Sequence, residues 1–105
     1  MAVILQITFK LSPAMLGENL IEPAMPLAQS ITQEPGFISK IWTENPEQGE
    51  AGGIYLFDNR KSAQEYLDMH QKRMAQWGAT DIDAKILDIS QPLSKITAGP
   101  LATLF

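Results

Sequence analysis

A single histidine, His70, stands in this chain of 105 residues, and there is no cysteine to accompany it. Without cysteine there is no disulfide, thiolate nucleophile or zinc knuckle. One imidazole among dispersed carboxylates falls short of the three or four converging ligands that zinc or iron requires, so no metal site is expected. What remains is proton transfer and aromatic recognition. His70 belongs to the row Ala63, Tyr66, Leu67, His70, Met74 and Trp77, whose three- and four-residue spacings turn one helix face toward a core. A half-buried imidazole there can act as a base near neutral pH or ligate a haem iron. Its plainer role is that of a core histidine bonded to a backbone carbonyl or a tyrosine hydroxyl. Trp42, Tyr55, Tyr66 and Trp77 add large rings with polar tips able to orient a ligand, and Phe57 shares a strand row with Tyr55. Glu44, Glu47 and Glu50 surround a hairpin loop and read as solvated surface. No phosphate loop, dinucleotide fingerprint or nucleophile elbow occurs.

These residues need elements to position them. Positions 2–10 read as a strand with Val3, Leu5, Ile7 and Phe9 in one apolar row, stopped by Ser12-Pro13. Leu16, Leu20, Ala24, Leu27, Ala28 and Ile31 predict an amphipathic helix over about 15–33, kinked by Pro23 and Pro26 and ended by Gln33-Glu34-Pro35-Gly36. Residues 37–44 form a second strand, with Phe37 and Ile41 on one face and Ile38 and Trp42 on the other. A polar loop, Asn45 to Gly49, joins it to a third strand over 50–57, giving an antiparallel hairpin. Gly52-Gly53 within that strand reads as a bulge in preference to a close approach of another backbone. Asp58 or Asn59 caps the helix that carries His70, Gly78 ends it, and a last strand runs over about 80–89.

Strand, helix, strand, strand, helix, strand is the order of an α+β, ferredoxin-like βαββαβ sandwich with an antiparallel sheet. Residues 1–96 make one such domain, followed by a tail over 97–105. The stretch from Gln91 onward, with Pro92, Gly99-Pro100, Leu101, Leu104 and Phe105, either frays or docks on apolar surface. Both helices cover one side of the sheet, yet the third strand is apolar on both, with Ile54 and Leu56 on one face and Tyr55 and Phe57 on the other. Burying roughly 400–600 Å² of apolar surface on the uncovered side is worth on the order of 10 kcal/mol before association costs. A homodimer through the sheet faces is therefore expected. The net charge of -4 and the lack of a basic run argue against nucleic acid and acidic membrane as partners. The first residues lack a basic leader and a spanning apolar run, so a cytoplasmic location is expected.

Gln33 to Phe37, Trp42-Thr43-Glu44, the block Glu50 to Phe57, Lys61-Ser62-Ala63 and Tyr66-Leu67 closely resemble the YdhR-type monooxygenase family. That family belongs to the dimeric α+β barrel, antibiotic biosynthesis monooxygenase-like superfamily. The resemblance implies a protomer whose sheet packs on its twin and a pocket between sheet and helices. It also implies oxidation of small aromatic, phenol- or quinol-like compounds with no cofactor, neither metal nor flavin. On that reading His70 assists proton removal and Tyr55 or Tyr66 hydrogen-bonds the substrate oxygen. Trp42, Tyr66, Phe57 and Trp77 then form the substrate-binding wall. Two alternatives stand beside it: a haem-degrading enzyme of the same superfamily with His70 as axial ligand, and a non-catalytic dimeric small-molecule-binding module.

Overall fold

The computed structural model describes residues 2–104. Phe105, which the tail expectation includes, lies outside the described residues. Four strands form one sheet: β1 (Val3–Lys10), β2 (Phe37–Asn45), β3 (Glu50–Phe57) and β4 (Thr80–Asp88), in the order β2-β3-β1-β4 with every pairing antiparallel. Helix α1 (Glu18–Ile31) joins β1 to β2, and α2 (Arg60–Gln76) joins β3 to β4. This is the ferredoxin-like α+β sandwich. The inner rows meet in register: Val3 faces Phe57, Leu5 faces Tyr55 and Ile86, and Ile7 faces Gly53 and Ala84. Alternation along the strands buries these side chains under the helices.

Helix α2 starts and stops for local reasons. The Asn59 side chain accepts the Ser62 N–H at 2.8 Å, satisfying one free donor of the first turn of α2. At its other end Gly78, at φ 96°, lets the Gly78 and Ala79 N–H groups fold back on Ala75 and Met74 carbonyls. Helix α1 runs through both Pro23 and Pro26 and buries only Ala24 and Ile31. Helix α2 buries Ala63, Tyr66, Leu67, His70 and Met74, the row expected from their spacing except for half-buried Trp77.

Two expectations need correction. The β1–β3 register passes through Gly52 and Gly53 without interruption, so the diglycine is no bulge. It is a close approach: a Cβ at Gly52 would lie 2.0 Å from the Ile7 carbonyl oxygen. Register irregularities sit instead in β2, between Phe37 and Ser39, and in the β1–β4 pairing, between Thr8 and Lys10. The slip in β2 separates Phe37 from Ile41 and places Phe37, Lys40 and Trp42 against the inner partners Phe57, Tyr55 and Gly53, while Ile41 pairs with Ile54 on the open face.

Ile41 (59% exposed), Ile54 (40%) and Leu87 (43%) lie on that open face together with Ile4 and Leu56. Its other end is polar, with Gln6, Thr8, Thr43, Lys85 and a Lys10–Glu50 ion pair of 2.8 Å. Beyond β4 the chain forms a short helix, α3 (Gln91–Thr97), and a 3₁₀ segment, Gly99–Leu104, that pack chiefly on each other. Leu93, Ile96 and Leu101 there stay exposed.

Candidate active site

Small side chains at Ala51 and Gly53, on the inner row of β3, leave volume under the helices that the larger inner residues Tyr55 and Phe57 fill further along the strand. A cavity of about 30 Å³ occupies that volume, walled by Phe9, Leu11, Lys40, Trp42, Tyr55, His70, Met74 and Trp77, with Leu20 and Leu27 of α1 above. An apolar groove of about 210 Å³ adjoins it along α1, lined by Leu20, Ile21, Ala24, Met25 and Ala28 and sharing Leu20, Trp42 and Glu44 with the cavity. The inner chamber holds about two water molecules or one ligand hydroxyl. The outer groove is wide enough for a ring.

Lys40 is the polar group that the strand slip delivers to this chamber. Its stem crosses the space where Gly53 has no side chain; a Cβ at Gly53 would stand 2.7 Å from Lys40 Cε and 2.9 Å from the Tyr55 ring. The ammonium nitrogen rests 3.3 Å from the Trp42 ring centroid and 4.6 Å from that of Tyr55. Burial, and after it the charge of the nearby Arg73 guanidinium, lower its pKa to about 7. Among the described residues no carboxylate pairs with Lys40 or Arg73. Glu44, on the chamber wall, accepts the Gly17 N–H at 3.1 Å.

His70 is 2% exposed and sits flat against Tyr66, with ring centroids 4.9 Å apart and an angle of 22° between planes. Arg73 Nη2 lies 2.9 Å from His70 Nδ1. A guanidinium can only donate, so Nδ1 accepts and the imidazole proton belongs to Nε2. Burial, then the charges of Lys40 and Arg73, hold the His70 pKa down to about 3. The imidazole is neutral, and it serves as a donor through Nε2 where a proton acceptor was expected. The same guanidinium nitrogen reaches the Tyr66 hydroxyl at 3.4 Å, while Arg73 Nε is buried without a partner. Burial raises the pKa of Tyr55 far above the usual phenol range and that of Tyr66 upward as well, so both keep their protons.

Residues 4–100 match the family model described as "Putative mono-oxygenase ydhR". The chain belongs to the ydhR family. Among solved structures, a protein named as a putative antibiotic biosynthesis monooxygenase from Deinococcus radiodurans shares the fold. It superimposes with a TM-score of 0.63 at 20% identity, over 84% of this chain and 92% of that one. A variant of SnoaB, a cofactor-independent oxygenase from Streptomyces nogalater, gives a TM-score of 0.58 at 14% identity, over 85% of this chain and 93% of that one. No curated protein matches the chain.

In this ydhR-family chain, His70, Tyr55, Trp42 and Trp77 converge on one cavity. Phe57 is fully buried in the core and Tyr66 borders a separate surface depression beside Glu34 and Ser62, so neither lines the chamber. Beside His70 a chamber of about 30 Å³ has no room for a porphyrin. Lys40 and Arg73 were absent from the expected set. Lys40 shares the period-two row of Trp42, and Arg73 lies three and seven residues beyond His70 and Tyr66, one helical face in both cases.

Proposed function

We propose that this ydhR-family protein is a cofactor-independent monooxygenase of small hydroxylated aromatic compounds, with the ring in the groove under α1 and its oxygen in the inner chamber. The supporting observation is the pairing of an apolar groove with a chamber that carries neutral donors, His70 and Tyr55, beside the Lys40 amine and the Arg73 guanidinium, neither of which has a carboxylate partner among the described residues. A phenolate or enolate held there is electron-rich enough to reduce dioxygen directly. Electron transfer to dioxygen and recombination at ring carbon give a hydroperoxide; its O–O bond breaks, one oxygen stays on carbon as a carbonyl, and the other leaves as water. Substrate supplies all the electrons, so the protein's part is to promote ionisation, hold the anion and exclude bulk water. Trp42, shared by groove and chamber, packs on the ring, Trp77 walls the chamber that takes its oxygen, and Tyr55 and His70 donate to the developing oxyanion.

Two protomers meeting through their open faces are part of the same proposal. Ile41, Ile54 and Leu87, exposed beside Ile4 and Leu56, supply an apolar band that a second copy covers. An oxygen electrode tests the enzymatic reading: uptake with anthrones and naphthohydroquinones is expected, reduced at least about tenfold in Tyr55→Phe and Trp42→Ala. Binding of these compounds with no uptake by folded protein assigns a binding module instead.

A further inference from the structure

Lys40 is set up to do more than balance charge. Its amine hangs over two aromatic faces in a chamber, its stem occupies the gap that Gly53 leaves, and among the described residues no carboxylate neutralises it. The groups facing it are Trp42 on its own strand, Tyr55 on β3, and His70 and Arg73 on α2; α1 contributes apolar Leu20 and Leu27, and Glu44 stands at the mouth, engaged with Gly17. Tyr55 keeps its proton and His70 offers one, so neither can receive the proton that a substrate hydroxyl must lose. We propose that Lys40 is the catalytic base of the inner chamber, taking the proton of an acidic ring hydroxyl and then, as the ammonium, pairing with the oxyanion it has made. One O–H bond breaks and one N–H bond forms; the electron pair stays on oxygen, and no oxidant takes part in this step. The inference rests on the aromatic-pocket reading above and narrows it to enols, phenols and quinols bound as anions. Burial and the Arg73 guanidinium together lower the pKa of the amine to about 7, so a substantial share of it is unprotonated near neutral pH and able to accept a proton.

The test uses 4-cyanophenol, un-ionised in the main at about pH 7.5 and distinguishable from its phenolate by ultraviolet absorption, with 4-cyanoanisole as the counterpart that has no proton to lose. Wild-type protein is expected to bind the phenol as phenolate while releasing less than about half a proton to buffer, measured by calorimetry in two buffers of different ionisation enthalpy, since the proton moves to Lys40. Lys40→Arg, which cannot accept, releases about one proton for each phenolate bound. Lys40→Met lowers the bound phenolate fraction at least about tenfold and leaves the anisole affinity within about threefold, which also shows that the variant is folded. A wild-type complex showing only neutral phenol, or releasing a full proton, overturns the assignment. So does 4-nitrobenzoate binding that depends on Lys40 without any phenol ionisation, which makes the amine a carboxylate anchor. If neither the phenol nor the anisole binds, the aromatic-pocket reading itself falls.

Discussion

Replacing Lys40 by Met keeps an unbranched stem between the Gly53 gap and the Trp42 ring and removes only the titrating amine, so the electrostatic load of the site becomes measurable as stability. In the unfolded chain the amine titrates near 10.5, in the folded protein at about 7. Below pH 7 it is charged in both states and the folded state bears the whole desolvation penalty. Between pH 7 and 10.5 the unfolded chain binds more protons, so wild-type stability rises with pH; above 10.5 the penalty is gone. The full interval is worth at most about 5 kcal/mol at about 1.4 kcal/mol per pH unit. Solvent reaching the amine through the chamber screens part of this, so a rise of about 2–3 kcal/mol between pH 6.5 and 9.5 is expected. Lys40→Met should exceed the wild type by a similar amount at pH 6.5 and show no such rise. Urea unfolding at one fixed protein concentration, with unchanged m-values, measures both. A flat wild-type profile over this window, or a slope that survives in Lys40→Met, refutes the placement of the amine. Measurements stop below pH 10 because Tyr55 and Tyr66, whose pKa values are raised by burial, oppose the trend once unfolded tyrosine ionises.

Three further outcomes are expected. Because a Cβ at Gly52 meets the Ile7 backbone whereas one at Gly53 meets the flexible end of Lys40 and the Tyr55 ring, Gly52→Ala should destabilise by about 2–4 kcal/mol, and Gly53→Ala by less than half of that; thermal melts order the two. His70 is the single histidine, so its ring C–H proton resonance is unambiguous in one-dimensional NMR, and it should not titrate between pH 7.5 and 4.5; a midpoint near 6.5 contradicts the Arg73-bound neutral imidazole. Ile54→Glu and Ile41→Glu, on the open sheet face, should leave a folded monomer by light scattering at micromolar concentration, where the wild type should give the mass of a dimer; unaltered mass removes the sheet-face interface.

The fold was legible because the inner rows obey simple periods. Val3, Leu5, Ile7 and Phe9 alternate without a break, and Ala63 to Met74 recur at three and four residues, so both the first strand and the face that carries His70 follow from spacing. Strand β2 was not, since a slip between Phe37 and Ser39 exchanges faces, and period-two counting puts Lys40 and Trp42 on the face opposite Phe37, whereas all three are on the inner side. The proposed chemistry of the site turns on one of them, Lys40. Likewise the close approach of β1 to Gly52 depends on pairing partners distant in sequence, which local composition does not reveal. Helix α3 had a local signal, Ser90 at the N-cap position with Pro92 just inside the first turn, but it is short and its apolar residues remain exposed, so amphipathic spacing carries no information there.

The most direct test of an ionised aromatic meeting dioxygen in the chamber is mass analysis of product formed under ¹⁸O₂ from an anthrone, with wild-type protein and Lys40→Met side by side. Wild type should place one heavy oxygen in the quinone and the other in water, and Lys40→Met should form product at least about tenfold more slowly. Product free of label, or equal rates from the two proteins, contradicts it.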